Sequence, residues 1–391
     1  MQRIYFDHNA TTPVDREVLA AMLPWFSEKF GNASSIHSFG QEARGAIEQA
    51  RGHVARLVGS RPADIVFTSG GTESDNLAIL GLVRASRAER KHIITTAIEH
   101  SAVLNTFQAL EASGVEVTYL PVGREGVVDP EAVRQSLRPD TLLISVMMAN
   151  NELGTIQPIE EIGRIAEQAD VWFHTDAVQA AGKVPIDVSA LRVDLLSLSG
   201  HKIYAPKGTG ALFVRSGVRI EPLVHGGHHE RDRRPGTENA AGIVGLGRAA
   251  ELALAKLPVE AARLAALRDR FERAVLERVP ATRVNGAGAV RVANTASITF
   301  SYVEGESLEI ALDLKGLACS TGAACSSGAI EPSHVLTAIG LEPAEARGSL
   351  RFSFGRANTS EEVDRALAIL PGVVEHLREL SPLYKKPVAI L

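Results

Sequence analysis

The chain has 391 residues, 45% of them hydrophobic, with 41 Lys and Arg against 46 Asp and Glu for a net charge of −5. That length and content allow two or three domains with a sizeable buried core and exclude a disordered chain, and the charge balance offers no surface for nucleic acid or an anionic membrane. Small neutral or zwitterionic partners stay open; no apolar run reaches the roughly 18 residues of a membrane span, two cysteines make no disulfide framework, and Arg3, Asp7 and His8 stand where a secretory signal needs an apolar stretch, so a cytoplasmic protein is expected.

From Asp64 onward, short apolar runs alternate with segments of helical period, the pattern of an α/β protein with a large, mainly parallel sheet covered by helices. Strands are expected at 65–68, 92–95, 115–120, 142–147, 171–175, 195–198 and 211–214. Helices at 72–85, 101–112, 130–137 and 159–168, several opened by Thr, Ser or Asp-Pro signals, would serve as crossovers. Past Gly236 the stretch 239–279 is rich in Ala, Leu and Arg with helical period, which predicts one long bridging helix or two. Strands at 294–302 and 349–353, with helices near 307–314 and 360–377, then predict a smaller α+β unit, and 386–391 reads as a loose tail.

Three segments carry residues suited to chemistry. Between the first strand and its helix, Gly70 and Gly71 would let the backbone approach an anion, the helix N–H groups would point at it, and Thr72 adds a hydroxyl. This is a phosphate cradle or an ordinary strand-to-helix connection capped by Thr. It is neither a P-loop, which needs Lys-Ser/Thr after its last glycine, nor a dinucleotide fingerprint, which needs a third glycine. Asp176 ends an apolar strand, where open α/β sheets bind ligands; its carboxylate could hold a pyridinium nitrogen or cap the segment that follows. Lys202, in Ser199-Gly200-His201-Lys202 after another strand, stands where an amine is partly desolvated and competent for a Schiff base, although a lone lysine is ordinarily surface charge.

Strand-Ser-Gly-His-Lys with Asp176 upstream resembles the pyridoxal-phosphate site of the class V aminotransferase group. Within it, Tyr5-Phe6-Asp7-His8-Asn9-Ala10-Thr11-Thr12-Pro13, Phe30-Gly31-Asn32, Thr72-Glu73-Ser74-Asp75-Asn76, Glu99-His100, Ala149-Asn150-Asn151-Glu152 and Gly236-Thr237-Glu238-Asn239 resemble cysteine desulfurases of the NifS/IscS type. The matches run from Tyr5 to Ser381. The resemblance implies the pyridoxal-phosphate-dependent transferase fold type I, with a large cofactor domain at 13–258 and a small domain from 1–12 with 259–391 carrying the catalytic cysteine loop.

It also implies roles. Lys202 would hold pyridoxal 5'-phosphate and move the substrate Cα proton, Asp176 would keep the pyridine nitrogen protonated, and Gln179 would donate to the phenolic oxygen. His100 would stack on the ring and exchange protons. Gly71, Thr72, Ser199 and His201 would bind the phosphate, and Thr237 would reach the phosphate of the partner subunit, which makes a homodimer the working form. Asn151 and Arg351 would hold the carboxylate of L-cysteine, Arg351 as a two-pronged fork that lysine cannot replace.

Residues 319–328 are small, polar and glycine-containing, which reads as a mobile exposed loop. Cys325 matches the family nucleophile, which as a thiolate takes sulfur from L-cysteine, releases L-alanine and passes the persulfide to an iron-sulfur scaffold or sulfur-relay protein. The ordinary reading of a lone cysteine is a buried small hydrophobe, for which this loop has little apolar cover. Ala323 and Ala33 replace the usual Ser and Pro. Cys319 reads as a structural thiol at a strand end, a second sulfur acceptor or a disulfide partner. His225, His228 and His229 suggest zinc, but the matching family segment sits near the cofactor without a metal, and none is expected. Arg231, Arg233 and Arg234 read as loop charge or dimer contact. A selenocysteine lyase, another class V enzyme and a non-catalytic docking platform are the alternatives; the platform would lack Lys202, Asp176 or Cys325, and all three are present.

Overall fold

The structure, a computed structural model, describes residues 3–88, 91–322, 332–382 and 384. The N-terminal part forms β1 (Ile4–Tyr5), α1 (Arg16–Met22), α2 (Pro24–Ser27) and α3 (Ser38–Val58). The seven-stranded sheet comprises β2 (Ile65–Thr68), β3 (His92–Thr96), β4 (Glu116–Leu120), β5 (Thr141–Ser145), β6 (Trp172–Asp176), β7 (Leu195–Ser199) and β8 (Gly210–Val214), in the order β2-β8-β7-β6-β5-β3-β4. Helices α4 (Gly71–Ala85), α5 (Ser101–Glu111), α6 (Pro130–Gln135) and α7 (Ile159–Gln168) lie between strands in the chain. All seven strands fall within two residues of their expected places. Every residue of β2, β7 and β8 is buried, as a sheet covered on both faces requires.

One strand departs from the parallel pattern. β8 runs antiparallel to both β7 and β2. The connection 200–209 explains it: a parallel return needs a crossover of about a dozen residues or more, whereas a short loop can only turn the chain back.

The stretch expected as one bridging helix or two is the single helix α8 (Ala240–Arg278), continuous through Pro258. Before Pro258, its Ile243, Leu246, Ala249, Ala250 and Ala253 join the sheet core with Ile47, Ala50 and Val54 of α3. The two helices approach closely, because a Cβ on Gly247 would lie 2.5 Å from Ala50 Cα. After Pro258, Leu267, Phe271 and Val275 belong to a second core.

That core is built on β9 (Thr282–Val284), β10 (Thr295–Phe300) and, beyond α9 (Gly305–Leu314), β11 (Leu317–Ala318), α10 (His334–Ala338) and α11 (Pro343–Arg347), on β12 (Ser349–Ser353) and α12 (Ser360–Leu380). The antiparallel order is β12-β10-β9, and β1 pairs with β11. Phe6, Phe271, Phe352 and Phe354 pack ring to ring, with Phe6 and Phe354 centroids 4.6 Å apart. The N-terminal segment is thus shared: Phe6 N–H donates to Ala318 and His8 N–H to Ser353 in this core, while Thr12 N–H donates to the His201 carbonyl beyond β7. No helix among the described residues is long and apolar enough to cross a membrane.

Candidate active site

The carboxyl ends of β2, β6 and β7 converge on the start of α4. Gly70 caps that helix without any side-chain hydrogen bond, so its first N–H groups and positive dipole end are not taken by a capping side chain. A Cβ on Gly71 would lie 2.8 Å from Val178 Cγ2 and 3.5 Å from Ser199 Cβ, so the bare Gly71 backbone abuts both. Thr72 follows as the second residue of the helix. Two residues past Ser199, His201 sets its Nδ1 3.1 Å from Thr11 Oγ1, and burial, with Lys202 and Lys207, lowers its ring pKa to about 4. A neutral imidazole results.

The loop carrying Thr237 is pinned beside this cradle. Glu230, Arg231 and Asp232 all take left-handed backbone angles, with φ of 47°, 57° and 66°. Such a run persists only where the surroundings fix it. Here the buried Glu230 carboxylate accepts from both Arg51 Nη1 and Nη2, at 2.7 and 2.8 Å, and from the Phe67 N–H at 2.9 Å. Arg234 pairs with Glu73 of α4 at 2.9 Å, and Arg231 donates to the Ala63 carbonyl, so these two arginines of the basic run make contacts within the chain. Thr237 itself is exposed.

Asp176 ends β6 almost fully buried and accepts the Val178 N–H at 2.8 Å. Burial pushes its carboxyl up, whereas His100 and Lys202 favour the charged form. Behind it lies Asp75, whose carboxyl is driven well above the usual range by burial and then by Asp176. Asp75 Oδ1 is 3.6 Å from Nε2 of His174, a ring that burial keeps neutral with a pKa near 3 and that bridges Ser145 and Ser197 hydroxyls. Of two neighbouring carboxyls only Asp176 faces cations, so it is the one to carry the charge. His100 caps α5, its Nδ1 accepting the Ala102 N–H at 3.1 Å, and lies close enough to Asp176 and Glu152 to lower both carboxyl pKa values. The helix-end role of this histidine is thus compatible with a place beside Asp176.

Lys202 closes the turn Gly200–Lys202 and donates from Nζ to the carbonyls of Asn9 at 2.5 Å and Ala10 at 2.8 Å. Gln179 Nε2 reaches the same Asn9 carbonyl at 3.0 Å. Asn9 and Lys183 belong to this site although the sequence reading assigned neither a role. Asn9 stands inside the Tyr5–Pro13 run, and Lys183 follows Gln179 by four positions, which are the signals that could have found them.

Arg351, on β12, is buried with Nη2 2.8 Å from Asp7 Oδ1 and Nη1 3.1 Å from the Asn151 carbonyl. Its Nε is buried without a hydrogen-bond partner, a spare charged donor beside Asn151. Glu152 lies next in sequence and accepts the Ser333 hydroxyl at 2.6 Å. Glu99, also unassigned in the sequence, is fully buried; burial raises its pKa to about 8, and its Oε2 has no partner.

Cys325 lies outside the described residues, as does Ala323. The chain that leads to them starts at this site: Ser320 pairs with Arg351 through both backbone bonds, and Ser333 beyond holds Glu152. Cys319 is 6% exposed in the second core, and burial, with Glu309 and Asp7, drives its thiol well above the usual range. Burial and a raised pKa both favour the structural thiol among its three readings, since the thiolate is the nucleophile.

Comparison with known proteins matches residues 4–366 to the family described as aminotransferase class-V. A protein of Methanosarcina thermophila named cysteine desulfurase IscS is 55% identical over 383 residues, which is 98% of this chain and 95% of that one. A solved NifS-like protein is similar with a TM-score of 0.90 at 39% identity, covering 96% of this chain and all of the other. The solved structure of SspA in complex with cysteine has a TM-score of 0.81 at 43% identity, over 90% of this chain and 98% of that one.

Proposed function

We propose, for a chain that belongs to the aminotransferase class V family, the activity of a cysteine desulfurase acting with pyridoxal 5'-phosphate on L-cysteine. The observation that carries the reading is the convergence of Lys202, Asp176 and the unpartnered Arg351 Nε on one site.

The residues fit the cofactor. The uncapped start of α4, with Gly71, Thr72, Ser199 and the neutral His201, suits a phosphate. Asp176 suits the ring nitrogen, Gln179 the phenolic oxygen, His100 the ring face and Lys202 the aldehyde. When bound, the cofactor supplies an electron-withdrawing ring that acidifies the substrate Cα–H.

The chain's own groups do the rest. Asn151 and Arg351 hold the substrate carboxylate and so fix which face of Cα meets Lys202. The Lys202 amine, resting on two carbonyls, removes the Cα proton once it is free. Asp176 stays ionised beside His100 and Lys202 and keeps the ring nitrogen protonated. Cys325, as thiolate, attacks the substrate sulfur: an S–S bond forms, the Cβ–S bond breaks with its electrons left on carbon, and protonation there gives the alanine methyl group. One L-cysteine and one thiol become one L-alanine and one persulfide.

Thr237 completes the phosphate site of a second copy, so the working form is a homodimer. Its exposure on a pinned loop supports this, as do Phe26, Phe30, Ile36 and Phe39, all more than half exposed. The persulfide then passes to an iron-sulfur scaffold or sulfur-relay protein in the cytoplasm. Alanine and sulfide released from L-cysteine by the cofactor-loaded protein with an added thiol test the activity. Lys202→Ala should abolish both products; alanine formation persisting in that variant would sink the reading.

A further inference from the structure

Lys183 is a second lysine beside Lys202, and the chemistry assigned to the site leaves it without a role. It lies on the turn that follows Gln179. Its Nζ donates to Gln179 Oε1 at 2.5 Å and to Asn9 Oδ1 at 3.2 Å. Gln179 returns the contact by donating Nε2 to the Asn9 carbonyl at 3.0 Å, and that carbonyl also receives Lys202 Nζ. Asn9 is buried and cannot shift freely: its N–H donates to Ser353 Oγ, its Nδ2 to Thr295 Oγ1 and the Asn151 carbonyl, and its Oδ1 also accepts from Asn294. The four residues form a closed network with one consistent assignment of donors and acceptors. An amine that donates to the Gln179 oxygen forces the Gln179 NH2 to the opposite side.

We propose that Lys183 is a positioning residue: it fixes the amide orientation of Gln179 and, through Asn9, the seat and proton affinity of the Lys202 nitrogen. The proposal rests on the reading of Lys202 and Gln179 as cofactor ligands. Electrostatics act in the same sense. Burial, then Lys202 and Arg351, push the Lys183 amine well below its usual range, so it shares one poorly solvated space with those two groups. The cleft beside Lys183 is lined by His8, Lys202, Lys256, Glu260 and Arg356 as well. His8 is neutral there, its pKa lowered to about 4 by burial and Lys183. Any proton on Lys183 therefore opposes one on Lys202. A fixed Gln179 donor works alike, since it competes with the Lys202 nitrogen's proton for the phenolic oxygen.

The visible absorption of the pyridoxal-phosphate-loaded protein, titrated against pH, reads that proton affinity. In Lys183→Met the midpoint is expected to rise by about one unit or more, a tenfold tighter hold on the proton. Its kcat for L-cysteine should fall about tenfold with KM within about threefold, the pattern of a lost transition-state effect. Lys183→Arg, which keeps donors for Gln179 Oε1 and Asn9 Oδ1, should restore both. An unchanged midpoint in Lys183→Met overturns the proposal, as does equal damage in the Arg and Met variants, which would mark Lys183 as packing only. If Lys183→Met fails to fold, Lys183→Gln serves, and an unchanged midpoint there is equally fatal. A wild-type protein that takes up no coloured cofactor overturns the reading of the site itself, and the proposal with it.

Discussion

Arg351 combines burial with a spare donor, and that is a costly state unless a ligand uses it: a buried charge with an unsatisfied N–H is disfavoured by about 1–3 kcal/mol or more. Its Nη groups are already engaged by Asp7 and Asn151, so the head is locked before any substrate arrives. Lysine at this place has one point charge and no fork. Arg351→Lys is expected to raise KM for L-cysteine by about 10-fold to 100-fold, the worth of one charge-assisted hydrogen bond, while the cofactor spectrum stays unchanged. Steady-state kinetics on L-cysteine check it, and a KM unaltered by the change would remove Arg351 from the substrate site. Residues of this kind were legible unevenly. Asp176 and Lys202 could be read because each ends or follows an apolar strand, which a local window of sequence shows. The contacts of Asn9 could not, since its partner Gln179 lies 170 positions away and nothing local to either residue states the pairing. Nor could the lone oxygen of Glu99 be read, because its meaning depends on complete burial.

At the scale of elements, the strands were legible because sheets covered on both faces make short, continuous apolar runs. The antiparallel sense of β8 follows from the brief connection 200–209 and could have been argued from length alone. Helix α3 was not among the expected elements, although Ala43, Ile47, Ala50 and Val54 recur at helical spacing; polar residues and glycines interspersed among them hide a stripe that α8 covers. The two-residue strands β1 and β11 exist only as partners, Ile4 with Leu317 and Tyr5 with Ala318, so neither carries a signal of its own. The junction of β2 and α4 yields a prediction at this scale. In Gly71→Ala the new methyl would meet Val178 Cγ2 at 2.8 Å and push the helix start away from Ser199. Pyridoxal phosphate should then bind about tenfold or more weakly, the loss of roughly one charge-assisted hydrogen bond to the phosphate, with little change in the melting temperature of the cofactor-free protein. Equilibrium titration of the cofactor decides it; unchanged affinity would place the phosphate elsewhere.

At the scale of the whole molecule, the core under the large sheet and the core on β9, β10 and β12 are linked by α8 and by the N-terminal segment that touches both β12 and the turn after β7. The site lies where these connections meet, and its buried ionisable groups make stability depend on pH in a definite sense. His174, His8 and His201 have folded pKa values near 3, 4 and 4, so between these values and the usual value of 6.5 the unfolded chain binds protons that the fold refuses. Their contribution is complete above 6.5 and is lost as pH falls. Glu99 acts oppositely: raised from 4.5 to about 8, its contribution is complete below 4.5 and is lost as pH rises through 8. These histidines should therefore make the melting temperature climb as pH rises from about 4 to 6.5, against the opposing slope of Glu99. Glu99→Gln removes a loss of stability that runs from about pH 4.5 to 8, so it should flatten the alkaline limb and steepen the acid limb above pH 4.5. Melting curves across pH for both proteins check this; an alkaline limb unchanged in Glu99→Gln would show that Glu99 is ionised in the fold. Cys319 is buried with a raised thiol pKa, which leaves Cys325 as the other cysteine of the chain. The most direct measurement is peptide mass mapping of the cofactor-loaded protein after brief exposure to L-cysteine, without added thiol. One extra sulfur atom on the Cys325 peptide and none on the Cys319 peptide, matched by one alanine released per chain, is the expected result. Alanine released with no sulfur on Cys325, or with sulfur on Cys319 alone, would contradict the account.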